Sequence, residues 1–197
     1  MRYIIPFLLF FFPMVASSQT TNLERLFIER VNVLRDSVLS VPLTNMEEYR
    51  MVSYNHVYYI LKTNHVSHDQ RNTRLPSFED RCKHFAGDDI SCGSEILTYN
   101  THILNNDTAI VDTLIKGFMS SKPHRYLLLS NGNRNCTIAI HHSYNKNICV
   151  VNFARAYVDK YSANNWSYFD STEEDNRLSR TSNERFESFY KRYYNID

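Results

Sequence analysis

From Leu23 onward the apolar positions Leu23, Leu26, Phe27, Val31, Leu34 and Val38 recur every three or four residues. That interval places side chains on one face of a helix. Thr21-Asn22-Leu23-Glu24 ahead of them is a capping-box pattern, and Pro42 sets the place where such a helix ends. Thr44 to Glu47 has the form of a second capping box, and Tyr49, Val52, Ser53, His56, Val57 and Ile60 predict the buried stripe of a second helix ending around Thr63. The polar stretch Asn64–Pro76 predicts irregular chain. Ser77-Phe78-Glu79-Asp80 opens a short helix for which Gly87 is a natural stop. "SCGSEIL" reads as a connection or a short strand. Asp107 or Thr108 is placed to cap a further helix, with Ile110, Val111, Leu114, Ile115, Phe118 and Met119 on its apolar face and its end at Ser120-Ser121, before Pro123. Cys136–His142 and Ile148–Ala154 are β-rich runs joined by "SYNKN", a hairpin signal. Helices first and paired strands last predict an α+β arrangement rather than alternating βαβ units.

The two ends differ in character from this middle. Met1–Ser18 carries one basic residue, an apolar run from Tyr3 to Val15, and Ala16 and Ser18 at small-x-small spacing. This is the pattern of a signal peptide cleaved before Gln19, and the apolar run is too short for a comfortable membrane span. The chain is therefore expected to be secreted, periplasmic or otherwise extracytoplasmic. After Tyr157, Ser, Asn, Asp and Glu dominate through Arg180, and Thr181 opens a candidate last helix with Phe186, Phe189, Tyr190 and Tyr193 on one side. The expected organisation is a signal peptide over 1–18, a domain over 19–157 and a polar, exposed extension over 158–197.

Composition narrows the function classes. A net charge of +1 over 197 residues gives no reason to expect nucleic acid as a partner. Only 4 glycines argue against glycine-rich phosphate loops. The 4 cysteines, Cys82, Cys92, Cys136 and Cys149, suit two disulfides in an exported chain. Three pairings are open, and the local one, Cys82–Cys92 with Cys136–Cys149, is preferred. A zinc site is the competitor, disfavoured because no C-x2-C pair occurs.

The 8 histidines raise the question of a metal. No H-E-x-x-H occurs, and adjacent His141 and His142 in a strand point to opposite faces. His56 lies on the buried stripe of the second helix and reads as a core histidine. There is no G-x-S-x-G elbow. Asn106, Asn135 and Asn165 sit in Asn-x-Ser/Thr triplets, which matter only in a glycosylating host.

Several segments in order resemble one family. "VNVLR" (Val31–Arg35) resembles the first-helix motif of the bacterial CAP proteins, also called the SCP or cysteine-rich secretory protein family. "PLTNMEEYRMVSYNHVYYI", "HVSHD", "SFEDRCKHFAG", "CGSEIL", "GFMSSKPHRYLLL" and "CTIAIHH…ICVVNFA" resemble the segments that follow it, over about Asn22–Tyr157. The resemblance implies an α-β-α sandwich with a small antiparallel sheet between helical layers. It also implies a cleft lined by His68, His124 and Glu95, which in some members holds a divalent metal. Two imidazoles and a carboxylate would suit zinc or a similar ion. Ser121 stands where a second glutamate occurs in the eukaryotic branch, Ile96 where Asn is usual and Phe118 where Trp is usual; fewer carboxylates weaken a metal site. Asn32 and Arg35 are expected to knit the first helix to the core, and Arg125 to pair or cap. The implied function is a monomeric, ligand-binding or interaction module whose partner is an extracellular lipid, glycan or protein. One alternative is a metal-assisted hydrolase of peptides or glycans with Glu95 as general base, and another is a scaffold with a vestigial cleft.

Overall fold

The computed structural model describes residues 21–156; the signal-peptide pattern and the extension after Ala156 lie outside the described residues. Helix α1 runs Asn22–Ser37 and begins in the expected capping box: Thr21 Oγ1 accepts from the Glu24 amide, and the Glu24 carboxylate accepts from the Thr21 amide. Strand β1 is only Thr44–Asn45 and is followed by a 3-10 turn, Glu47–Tyr49, and helix α2, Met51–Thr63. Helix α3 spans Phe78–Ala86, with Ser77 and Asp80 forming its capping box and Gly87 at φ 60° ending it. Strand β2 covers Ile90–Asn100, helix α4 Asp107–Ser120, helix α5 Lys122–Leu129, and the hairpin strands β3 and β4 Asn135–Ser143 and Lys146–Ala156.

The strands form one sheet in the order β1-β3-β4-β2. Alternation along the strands separates two cores. Ile96, Cys136, Ile138, Ile140, Cys149, Val151 and Phe153 face α1, α4 and α5, where they meet Phe27, Val31, Leu114 and Phe118. Leu97, Ala139, Ile148 and Val150 face α2, where they meet Val57 and Ile60. The α-β-α sandwich is thus built on a hairpin that is apolar on both faces.

Three local expectations are corrected, and one, the strand alternative for "SCGSEIL", is extended. The sheet is mixed, because β1 runs parallel to β3, and the long connection between them, which carries helices α2 to α5 as well as β2, supplies the crossover such pairing needs. Thr44 is not a helix cap: its amide donates to the Arg134 carbonyl at 2.8 Å, so the residue belongs to the sheet. "SCGSEIL" is the middle of an 11-residue strand. Pro123 does not simply stop a helix; it lies in the first turn of α5, where its missing amide is no loss.

Glu24 has a second task. Its carboxylate is buried and takes two donors of the Arg50 guanidinium, the closer at 2.7 Å, and the Ile140 amide at 3.0 Å. β1 pairs β3 only at Asn135 and Cys136, so the Ile140 amide has no strand partner on that side. Glu24 satisfies this edge donor and fastens α1 to the sheet.

Asn32 and Arg35 hydrogen-bond α1 to neighbouring backbone. The Asn32 side chain donates to the Leu43 carbonyl at 3.0 Å and accepts from the Leu43 amide at 2.7 Å. Arg35 is fully buried and donates to the carbonyls of Val41, Leu128, Ser130 and Asn133. Burial lowers its pKa to about 10, and four acceptors for one guanidinium keep the charge solvated by backbone. Arg125 donates to the Met119 carbonyl at 3.1 Å, tying the α4–α5 corner.

Candidate functional site

A carboxylate reaches the α2–α3 side of the sheet through an irregularity in β2. Pairing with β4 is regular from Ile90 to Cys92, shifts at Gly93, and resumes at Ser94. Such a bulge inserts one residue and inverts the alternation after it. Cys92 before the bulge and Glu95 after it, three positions apart, therefore lie on the same face.

Helix α3 uses both. The disulfide Cys82–Cys92 joins it to β2, in agreement with the local pairing expected for these two cysteines. One residue earlier, Arg81 Nη2 donates to Glu95 Oε2 at 2.7 Å, and both side chains are fully buried. The other carboxylate oxygen, Oε1, accepts from His68 Nδ1 at 3.1 Å. His68 lies in the loop between α2 and α3, and its ring is half exposed. With Nδ1 engaged, Nε2 is the atom left for solvent or a ligand.

His56 completes the cluster from α2. Its Nε2 donates to the Ser67 carbonyl at 2.8 Å. Its Nδ1 has no hydrogen-bond partner and lies 3.6 Å from Glu95 Oε2. Burial lowers the His56 pKa to about 4, against the pull of Glu95, so the ring is neutral at neutral pH and the contact is not an ion pair. Burial pushes Glu95 upward, but the His68 hydrogen bond and the Arg81 charge outweigh it and hold the carboxyl below its ordinary value. The same hydrogen bond raises His68.

His124 approaches from the other helical layer. It lies in the first turn of α5, half-buried, with its ring edge-on to Phe118 at 5.8 Å between centroids. Its pKa is lowered, first by burial and then by the charge of His68.

The structure therefore groups His68 and Glu95, sets His124 near His68, and adds Arg81 and His56. Sequence spacing does not single out Arg81, and the stripe of α2 gives His56 only as a core residue. Ser121 only bridges α4 and α5, its amide donating to Phe118 and its carbonyl accepting from Arg125.

The donor set does not fit a metal ion. Both Glu95 oxygens are engaged, one of them by a guanidinium cation. Among the described residues no group of three or more His, Cys, Asp or Glu side chains is arranged to hold an ion. Glu95 instead fixes the His68 ring through Oε1 and is itself held by Arg81 through Oε2.

The second disulfide is also corrected. Cys136 and Cys149 are free, buried thiols. Cys136 pairs across the ladder with Phe153 and Cys149 with Ile140, an offset of about four residues, or ~13 Å along the strands. No bridge spans that distance.

Comparison with solved structures places the architecture. A domain of an extracellular protein containing an SCP domain from Bacillus anthracis superposes with a TM-score of 0.52 at 16% identity, covering 66% of this chain and 39% of that one. The chain has the SCP fold. An outer surface protein from Borrelia burgdorferi shares the architecture with a TM-score of 0.56 at 12% identity, over 70% of this chain and 96% of that one. No family model matches the sequence, and no curated protein matches it. At such identities the likeness is one of fold, and this SCP fold spans about two fifths of the Bacillus protein. Among the described residues no helix is long and apolar enough to cross a membrane.

Proposed function

We propose that the chain is an exported module of the CAP/SCP family that binds an extracellular ligand over the surface that carries His68 and His124. The observation that carries the reading is the 3.1 Å hydrogen bond from His68 Nδ1 to a Glu95 carboxylate that is itself buried against Arg81. Such an arrangement fixes one ring orientation and leaves the far nitrogen free for a polar ligand group. Export is supported by the Met1–Ser18 pattern and by the descriptions of the similar proteins as an outer surface protein and an extracellular protein. The test compares wild type with His68→Ala/His124→Ala on a glycan array, on phospholipid vesicles and on a peptide library. A ligand held by wild type and lost from the variant is the expected result. Binding that survives in the variant places the ligand site elsewhere.

A second reading rests on the same hydrogen bond. A carboxylate behind an imidazole is the orienting half of a general base, so His68 Nε2 could take a proton from water during hydrolysis. In that reading Glu95 positions and does not itself abstract the proton. Turnover on peptide or glycan substrates lost in His68→Ala, and falling as His68 protonates, would support it.

A further inference from the structure

A second surface lies between α2 and the loop that follows it. The exposed face of α2 and residues 70–75 enclose a groove of about 320 Å³. Tyr58, Tyr59 and Leu75 give it apolar walls, and Lys62 and Arg74 are the charged residues that line it; no acid does. Lys62 Nζ lies 5.3 Å from the centre of the half-exposed Tyr58 ring, an arrangement that leaves the cation over an aromatic face at the rim. The floor is fixed: buried Gln70 donates to Asn55 Oδ1 at 3.0 Å, and Tyr59 Oη accepts from the Arg71 amide at 2.9 Å. A rigid apolar groove with a cationic rim calls for an aromatic group flanked by acids.

The chain carries that chemistry in its own extension. "WSYFDSTEED", Trp166–Asp175, has three aromatic residues followed by Asp170, Glu173, Glu174 and Asp175, with no basic residue. Reach is sufficient. β4 ends at Ala156 opposite Ile90, and Asn152, further back along the strand, hydrogen-bonds Ser53 near the start of α2. From Ala156 to Asn152 is about 13 Å of strand, and from Ser53 to Tyr58 about 8 Å of helix. The roughly ten steps from Ala156 to Trp166 extend to ~33 Å.

We propose that Trp166–Asp175 docks in the groove between α2 and residues 70–75, with an aromatic side chain between Tyr58 and Leu75 and the acids against Lys62 and Arg74.

Trp166 is the single tryptophan of the chain, so its fluorescence reads the contact directly. In the full-length protein its emission is expected to be blue-shifted from that of the urea-unfolded chain and several-fold less quenched by acrylamide. Lys62→Glu with Arg74→Glu should move both readings to the unfolded values while far-UV circular dichroism stays unchanged. Glu173→Gln/Glu174→Gln/Asp175→Asn should do the same from the other partner without touching the domain. A native Trp166 as accessible as in urea overturns the proposal. So does protection that persists in both charge variants, or protection that is lost on dilution, which would mean that a second copy covers it.

Discussion

Arg81 Nη2 stands 2.7 Å from Glu95 Oε2, and neither side chain reaches solvent. A buried pair of this kind adds little over an apolar pair, but breaking it leaves an uncompensated charge in the interior. Arg81→Met is therefore expected to destabilise the fold by about 3–5 kcal/mol, and Arg81→Met/Glu95→Gln by clearly less than the sum of the single changes. Urea denaturation of the four proteins gives the coupling; additive effects would show that the pair is not energetically linked.

The acid limb of stability should belong to His56. Its folded pKa of about 4 lies below the ordinary 6.5, so the unfolded chain takes up the proton first. The contribution is complete above pH 6.5 and is lost as pH falls toward 4, to a limit of about 3 kcal/mol. Glu95, also lowered, adds a loss below its ordinary 4.5. His68 is raised and acts with the opposite sign: its share is present below 6.5 and disappears as pH rises through its folded value. Its half exposure keeps that share small. Histidine NMR titration should find His56 with a midpoint about 4 and His68 above 6.5. A normal His56 midpoint would mean that the ring is hydrated.

Thiol counting separates the two cysteine pairs. Unfolded without reductant, the protein should present two alkylatable thiols, Cys136 and Cys149, and folded it should present none. Burial pushes Cys136 up to about 12, so it is inert as well as hidden. Replacing Cys82 and Cys92 by Ala should cost about 2–3 kcal/mol for a loop of this length. Four masked thiols in the unfolded, unreduced chain would restore the second bridge.

Arg35→Lys should behave as a severe change despite retaining the charge. An ammonium cannot reach the four carbonyls that the guanidinium serves, and buried carbonyls left unmet cost about 1–3 kcal/mol each. Thermal melting should show the loss, and histidine chemical shifts at His68 should stay in place, since Arg35 lies in the opposite helical layer.

Zinc should leave the melting temperature unchanged, in wild type and in His68→Ala/His124→Ala alike. Tight binding that vanishes in the variant would show that Glu95 leaves Arg81 to serve a cation.

The sequence displayed those elements whose signals are local. The α1 capping box needs only Thr21 and Glu24, and the hairpin needs two apolar runs and a polar turn. The face of α2 was legible because Val52, His56, Val57 and Ile60 are buried together. Strand β2 was not, because Gly93 interrupts its alternation. Helix α5 was masked by Pro123, which serves equally to end one helix and to open the next. The site posed a harder problem. The family resemblance supplied His68, Glu95 and His124, while nothing in local spacing announces that Arg81 is buried against a carboxylate one element later. A lone arginine in an amphipathic helix normally faces water, and only the bulged partner strand gives it a reason to turn inward.

Gly93 holds the two fastenings of α3 in opposite parity. In an unbroken strand Cys92 and Glu95 would face opposite ways, so either the sulfur or the carboxylate would leave α3. Deleting Gly93 would leave Cys92 and Glu95 two positions apart on a regular strand, still on one face, whereas pairing the full-length strand without its bulge would break one link or the other. The bulge is in effect a clutch between a covalent joint and an electrostatic one, and the imidazole of His68 is steered from the electrostatic side.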